Sequence, residues 1–199
     1  AASDVDNVND APTGVVTITG TAAEDAVLTA GNSLADEDGM GAVTYTWSNG
    51  AQGTTVTLAQ SDVGSTMTVT AAYTDALGAT ESMTSSATGT IANVNDAGTG
   101  LSLASNGDVT DPDEDDVLSV TGTLSDEDGC SSTCAITYSW SNTVSTSSAA
   151  TYTLGQADVG KVITLTMTYT DAQSETNTIT LTAASDVDNV NDAPTGVVT

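Results

Sequence analysis

Two loops of this chain carry the same four residues, Asp36-Glu37-Asp38-Gly39 and Asp126-Glu127-Asp128-Gly129, and each is followed by a later Tyr-Thr-Asp-Ala run that supplies Asp75 and Asp171. A third motif, Asn-Val-Asn-Asp, occurs three times: Asn7, Asn9 and Asp10; Asn93, Asn95 and Asp96; Asn189, Asn191 and Asp192. Carboxylates and amide carbonyls grouped at turns are the donors of a hard cation, and Ca2+ typically takes about six to eight such oxygens. The chain has no His and offers no imidazole, so zinc fits poorly. If folding gathers Asp126, Asp128 and Asp171 beside Asn93, Asn95 and Asp96, the carboxylates repel one another unless a divalent cation neutralises them. The same holds for Asp36, Asp38 and Asp75 with Asn7, Asn9 and Asp10. A plainer reading is that these residues supply turns and solubility. Neither loop is an EF-hand, because glycine falls at the fourth loop position and no acid stands at the twelfth.

These motifs recur because the chain repeats itself. Ala183 to Thr199 copies Ala1 to Thr17 letter for letter, which implies a window from a tandem array. Inside that period the Asn-Val-Asn-Asp joints divide the chain into two related units of about ninety residues, a size that suits one small core each. Landmarks recur in order. Glu24 answers to Glu114, Trp47 to Trp140, and the run Thr57 to Gly64 to the run Thr153 to Gly160. The organisation expected is a linker over 1–10, a first repeat over 11–92, a linker over 93–96, a second repeat over 97–188, and a linker with the start of a further repeat over 189–199.

Between turns the apolar residues alternate. Val43, Tyr45 and Trp47 share one face, as do Met67, Val69, Ala71 and Tyr73, with threonines opposite; Ile136, Tyr138 and Trp140, and Ile163, Leu165, Met167 and Tyr169, repeat the arrangement. No stretch keeps a helical period. The pattern predicts an all-β chain of two tandem antiparallel β-sandwiches, end to end, with about seven strands each. Composition alone would also suit an unfolded acidic spacer, but the sustained alternation argues for a fold. Without Phe and with one Trp per unit the core is thin.

With 27 acids against one base, Lys161, the formal charge is -26. Phosphate binding needs a Lys/Arg surface, so nucleic acid is excluded as a partner, and anionic membrane surfaces on the same ground. Cys130 and Cys134 sit in the loop after Asp128. A local disulfide is expected there, since the composition implies an oxidising exterior and a two-thiol metal site would lack further soft ligands. Catalysis finds no His base, no Ser-His or Cys-His pair and no phosphate-cradling loop, so the chain is not expected to be an enzyme.

The ordered set Asp36 to Trp47, Thr68 to Asp75 and Asn-Val-Asn-Asp-Ala-Pro-Thr resembles the bacterial cadherin-like repeats of giant secreted adhesins. The mid-domain Trp looks more like an immunoglobulin-type strand. The resemblance implies Ca2+ at the joints, held by the base of one domain, the linker and the top of the next. Carried onto this chain, the central joint would use Glu24 and Asp62 from the base, Asn93, Asn95 and Asp96 from the linker, and Asp126, Asp128 and Asp171 from the top. Glu114 and Asp158 would serve the joint at Asn189, Asn191 and Asp192, while Asn7, Asn9 and Asp10 would serve the joint with Asp36, Asp38 and Asp75. In the middle linker Gly98 stands in the place of Pro12, which predicts a joint that bends differently or is less rigid.

The function this implies is a Ca2+-rigidified extender of an extracellular bacterial adhesin or surface filament, whose partners are adjacent copies of the repeat. Two alternatives stand beside it. Outward threonine rows such as Thr164, Thr166, Thr168 and Thr170 could face ice, glycan or mineral, although β propensity alone places Thr there. Sheet edges could also join copies laterally into a fibre.

Overall fold

The computed structural model describes residues 7–130, 134–141 and 149–193; the outer ends of the two terminal linker stretches, 1–6 and 194–199, lie outside them. The chain divides into two compact units at Val94/Asn95. Both are all-β and sandwich-like.

In the first unit the strands are β1 (Val16–Thr19), β2 (Val27–Asn32), β3 (Thr44–Trp47), β4 (Thr55–Thr57), β5 (Val69–Thr74) and β6 (Thr80–Thr84). They form two antiparallel sheets, ordered β1-β2-β4 and β3-β5-β6. The second unit repeats this plan with β7 (Thr99–Ser105), β8 (Val117–Ser125), β9 (Thr137–Trp140), β10 (Thr151–Thr153), β11 (Val162–Thr170) and β12 (Thr176–Asp186), ordered β7-β8-β10 and β9-β11-β12. Six strands are thus formed per unit among the described residues, where about seven were expected. The first unit's last segment explains the difference. After Thr84 the chain stops pairing regularly and touches its neighbours at intervals, with Thr88 N donating to Met67 O and Ile91 N to Ser65 O.

The period-two faces are as the pattern requires. Met67, Val69, Ala71 and Tyr73 are buried, as are Ile163, Leu165, Met167 and Tyr169. One core gathers Trp47, Leu28, Leu58, Val69 and Ile91; the other gathers Trp140, Leu118, Leu154, Leu165 and Val187. Each tryptophan keeps its N–H satisfied: Trp47 Nε1 donates to Gly53 O at 2.9 Å and Trp140 Nε1 to Ala149 O at 3.2 Å. Trp140 also stacks on Tyr152, with centroids 5.5 Å apart. With cores this small, one truncation should be costly. Leu165→Ala, at a fully buried position, is expected to cost about 2–5 kcal/mol, comparable to the whole stability of a small domain. Urea unfolding followed by Trp fluorescence checks this; a shift below about 1 kcal/mol would show that the second core is not the close-packed unit described.

Outward threonines stand in register. Thr164, Thr166, Thr168 and Thr170 of β11 face Thr182, Thr180, Thr178 and Thr176 of β12. Their hydroxyls are partly spent on one another: Thr164 Oγ1 lies 3.3 Å from Thr182 Oγ1, and in the first unit Thr70 Oγ1 lies 2.8 Å from Thr84 Oγ1. Such cross-strand pairs stabilise a sheet without any ligand. Cys130 and Cys134 are joined as a disulfide, with Cα atoms 5.9 Å apart, and Cys130 packs with Leu124 and Tyr169. Among the described residues no helix is long and apolar enough to cross a membrane.

Candidate metal centre

Each sandwich has one end where three loops bring acids together, and the two ends are built alike. In the Asp36–Gly39 loop, Asp38 N donates to Asp36 Oδ1 at 2.8 Å and Gly39 N donates to Asp36 O at 3.2 Å, closing a turn that places Gly39 at φ 86°. In the Asp126–Gly129 loop the same two bonds are 2.9 and 3.2 Å, with Gly129 at φ 92°. The left-handed backbone is why glycine ends both motifs.

The Asn-Val-Asn-Asp segment meets this loop through a backbone amide. Asp10 N donates to Asp38 Oδ2 at 2.7 Å, and Asp96 N donates to Asp128 Oδ2 at 2.7 Å. Asn7 also donates to Asp38. The third group comes from the hairpin turn after the long strand. Asp75 Oδ1 accepts from Leu77 N and Ala79 N at 2.9 and 2.8 Å, and Asp171 Oδ1 from Gln173 N and Glu175 N at 2.9 Å each. These are charge-assisted turn bonds that lock each carboxylate in place and leave its second oxygen for something else.

Among the described residues, two buried carboxylate oxygens at these ends have no hydrogen-bond partner. Asp128 is 2 % exposed and its Oδ1 has no partner; Asp75 is 6 % exposed and its Oδ2 has none. A buried carboxylate oxygen without a donor costs free energy in proportion to its desolvation. Both ends therefore fit a hard cation by chemistry: all-oxygen donors, prefixed by turn amides, with buried lone pairs unspent. Asp36 and Asp126 are committed elsewhere, since Tyr73 and Tyr169 donate their hydroxyls to Asp36 Oδ2 and Asp126 Oδ2.

Sequence reasoning missed these tyrosines as parts of the site. They appeared only as the last inward residues of their strands, and nothing in the spacing says that their hydroxyls reach the acidic loops. Burial first, and then the neighbouring carboxylate, push both phenols well above the usual tyrosine range. Tyr152, half-buried and donating to Asp158 Oδ2, is pushed up to about 12. A phenol whose folded pKa lies above its unfolded value stabilises the fold below the unfolded value of 10.0 and loses that contribution as pH rises towards the folded one. Alkaline titration by ultraviolet difference absorbance should accordingly find three of the five tyrosines ionising only as the protein unfolds. Five tyrosines titrating together as free phenol would contradict this geometry.

Tyr169 also accounts for Gly98. A Cβ at that position would lie 2.1 Å from the Tyr169 hydroxyl and 2.8 Å from a Leu124 methyl. Close approach, and not a need to bend, requires glycine where the other copies carry proline.

The opposite end of the first sandwich holds Glu24, 3 % exposed. Glu24 N donates to Ala92 O at 2.9 Å, and Val94 N donates to Glu24 Oε2 at 3.3 Å. With its amide turned to donate, Gln60 Nε2 lies 2.6 and 2.8 Å from the Glu24 oxygens and 3.2 Å from Asn93 Oδ1. In the second sandwich Glu114 N donates to Asp188 O at 2.9 Å, and Gln156 Nε2 reaches Asn189 Oδ1 at 3.0 Å. Glu114 is 6 % exposed and its Oε2 has no partner. Asn191 and Asp192 are exposed.

Asp62 and Asp158, expected as ligands beside these glutamates, each cap their own single 3-10 turn, Gln60–Asp62 and Gln156–Asp158. Asp62 Oδ2 accepts from Ala59 N and Asp158 Oδ2 from Gly155 N, both at 3.0 Å. Each thereby fixes a turn through one carboxylate oxygen.

No known protein-family model matches the chain, and comparison with curated proteins finds no match.

Proposed function

We propose that this chain is a stretch of Ca2+-stiffened structural repeats from an extracellular bacterial adhesin or surface filament. The observation that carries the reading is the pair of Asp38 and Asp128 sites, at which two units of different sequence converge on one geometry. In both, an Asn-Val-Asn-Asp segment is bonded to the acidic loop through the aspartate amide, and in both a buried carboxylate oxygen nearby is left without a partner. Turn-making and solubility account for exposed aspartates but not for buried, unpaired ones.

Asp38, Asp75, Asp128 and Asp171 would hold the cation, with Glu24 and Glu114 providing carboxylates at the opposite ends and the linker asparagines providing amide oxygens. Bound Ca2+ supplies positive charge that cancels carboxylate repulsion and restrains each linker against the unit that follows it. Function then lies in stiffness and spacing repeated along an array, with no catalytic step. Small-angle scattering tests the proposal: the chain should be more extended in Ca2+ than in chelator, and equal dimensions in both would defeat it.

A further inference from the structure

The two acidic ends differ at several turn positions, Ala79 standing where the second unit has the exposed Glu175, but the difference that bears on the buried aspartate lies at one register position of the strands. In the second unit Tyr169 pairs with Asn177 across the β11–β12 ladder; in the first, Tyr73 pairs with Glu81 across β5–β6. Asn177 and Glu81 therefore occupy one register position, beside the aspartate two residues beyond each tyrosine. Asn177 is buried, and its Nδ2 donates to Asp171 Oδ2 at 2.7 Å; it also exchanges bonds with the Asn95 amide at 3.0 and 3.3 Å. That end is closed by a neutral side chain carrying its own donors.

Glu81 has no N–H to give. Its Oε1 accepts from Asn9 Nδ2 at 2.7 Å, while Asp75, 6 % exposed, keeps Oδ2 unpartnered. Where the second unit places an amide that donates to Asp171, the first places a carboxylate at the same register position, and Asp75 Oδ2 is left without a donor. Two acids in such a place repel unless a cation joins them.

We propose that Glu81 and Asp75 Oδ2 form a Ca2+ seat present in the first unit alone, making its end the tighter cation site, so that successive joints of the array alternate in Ca2+ affinity. This rests on the Ca2+ reading given above and adds to it a ligand, Glu81, and an order of filling. Ligand charge count is the main lever on Ca2+ affinity at oxygen sites. As Ca2+ rises, every second joint fills first and the others remain compliant until a higher concentration.

Calorimetric titration of the two-unit chain with Ca2+ decides this. The parent should show a tight and a weaker class of sites. Glu81→Asn, which installs the second unit's side chain, and Glu81→Gln should each weaken the tight class by about tenfold or more while leaving the weaker class in place. Both variants should also melt no lower than the parent in chelator, because a facing charge is removed. A tight class unchanged in both variants overturns the Glu81 seat and leaves the Ca2+ reading standing. A parent that takes up no Ca2+ overturns both.

Discussion

In millimolar Ca2+ the chain should melt on the order of 10–20 °C above its midpoint in chelator. A site filled at a hundredfold excess over its Kd stabilises the fold by about 2.7 kcal/mol, and each kcal/mol moves the midpoint of a unit of about ninety residues by about 4–8 °C. The direction follows from the apo state: a formal charge of -26, small cores and, among the described residues, buried carboxylate oxygens without partners at Asp75, Glu114 and Asp128. Screening of general self-repulsion would also raise the midpoint, so the comparison is made against sodium chloride at matched ionic strength. Equal shifts in the two salts would mean that the charge is merely screened and that no site is filled.

Converting Asp126 and Asp128 together to asparagine should produce a crossover. The new amide at position 128 keeps an oxygen to accept the Asp96 N–H, and the one at position 126 keeps an oxygen for the backbone N–H of residue 128 or the Tyr169 hydroxyl, so the loop retains much of its bonding. In chelator the variant should melt at or above the parent, because a buried carboxylate with an unpaired oxygen is gone. In Ca2+ it should melt below the parent, with affinity at that end reduced by about a hundredfold. Scattering then carries the mechanical claim, since the variant in Ca2+ should have dimensions close to those of the parent in chelator. A variant as extended in Ca2+ as the parent would separate stiffness from these aspartates and remove the extender mechanism. A lower melt in chelator would show that Asp126 and Asp128 serve the fold itself.

Glu81 shows what the sequence does not expose. In the chain it is one acid among 27, on a strand whose burial alternates without a strongly apolar face, and nothing local distinguishes it from a solvated charge. Its meaning appears only when the β5–β6 register sets it beside Asp75. Tyr73 and Tyr169 read as core residues from their alternation, and they are buried, yet their hydroxyls end on Asp36 and Asp126. Asp62 and Asp158 show a second use the sequence did not expose: each accepts a capping bond from the backbone amide three residues back.

By itself the sequence determined what depends on local pattern: strand faces, from period-two alternation at Met67 to Tyr73 and Ile163 to Tyr169; two units, from recurring joints; and acidic turns at Asp36 to Gly39 and Asp126 to Gly129, from Asp-Glu-Asp-Gly. Backbone geometry sets all three over a few residues, so no distant partner is needed to read them. Only the tertiary structure decided which carboxylate oxygens are spent and which are left bare. That is a matter of hydrogen-bond satisfaction between groups as far apart in the chain as Asp96 and Asp128, or Tyr73 and Asp36. A buried acid's chemistry depends on the donors that reach it, and those are fixed by strand register and turn closure, not by the identity of its neighbours in sequence.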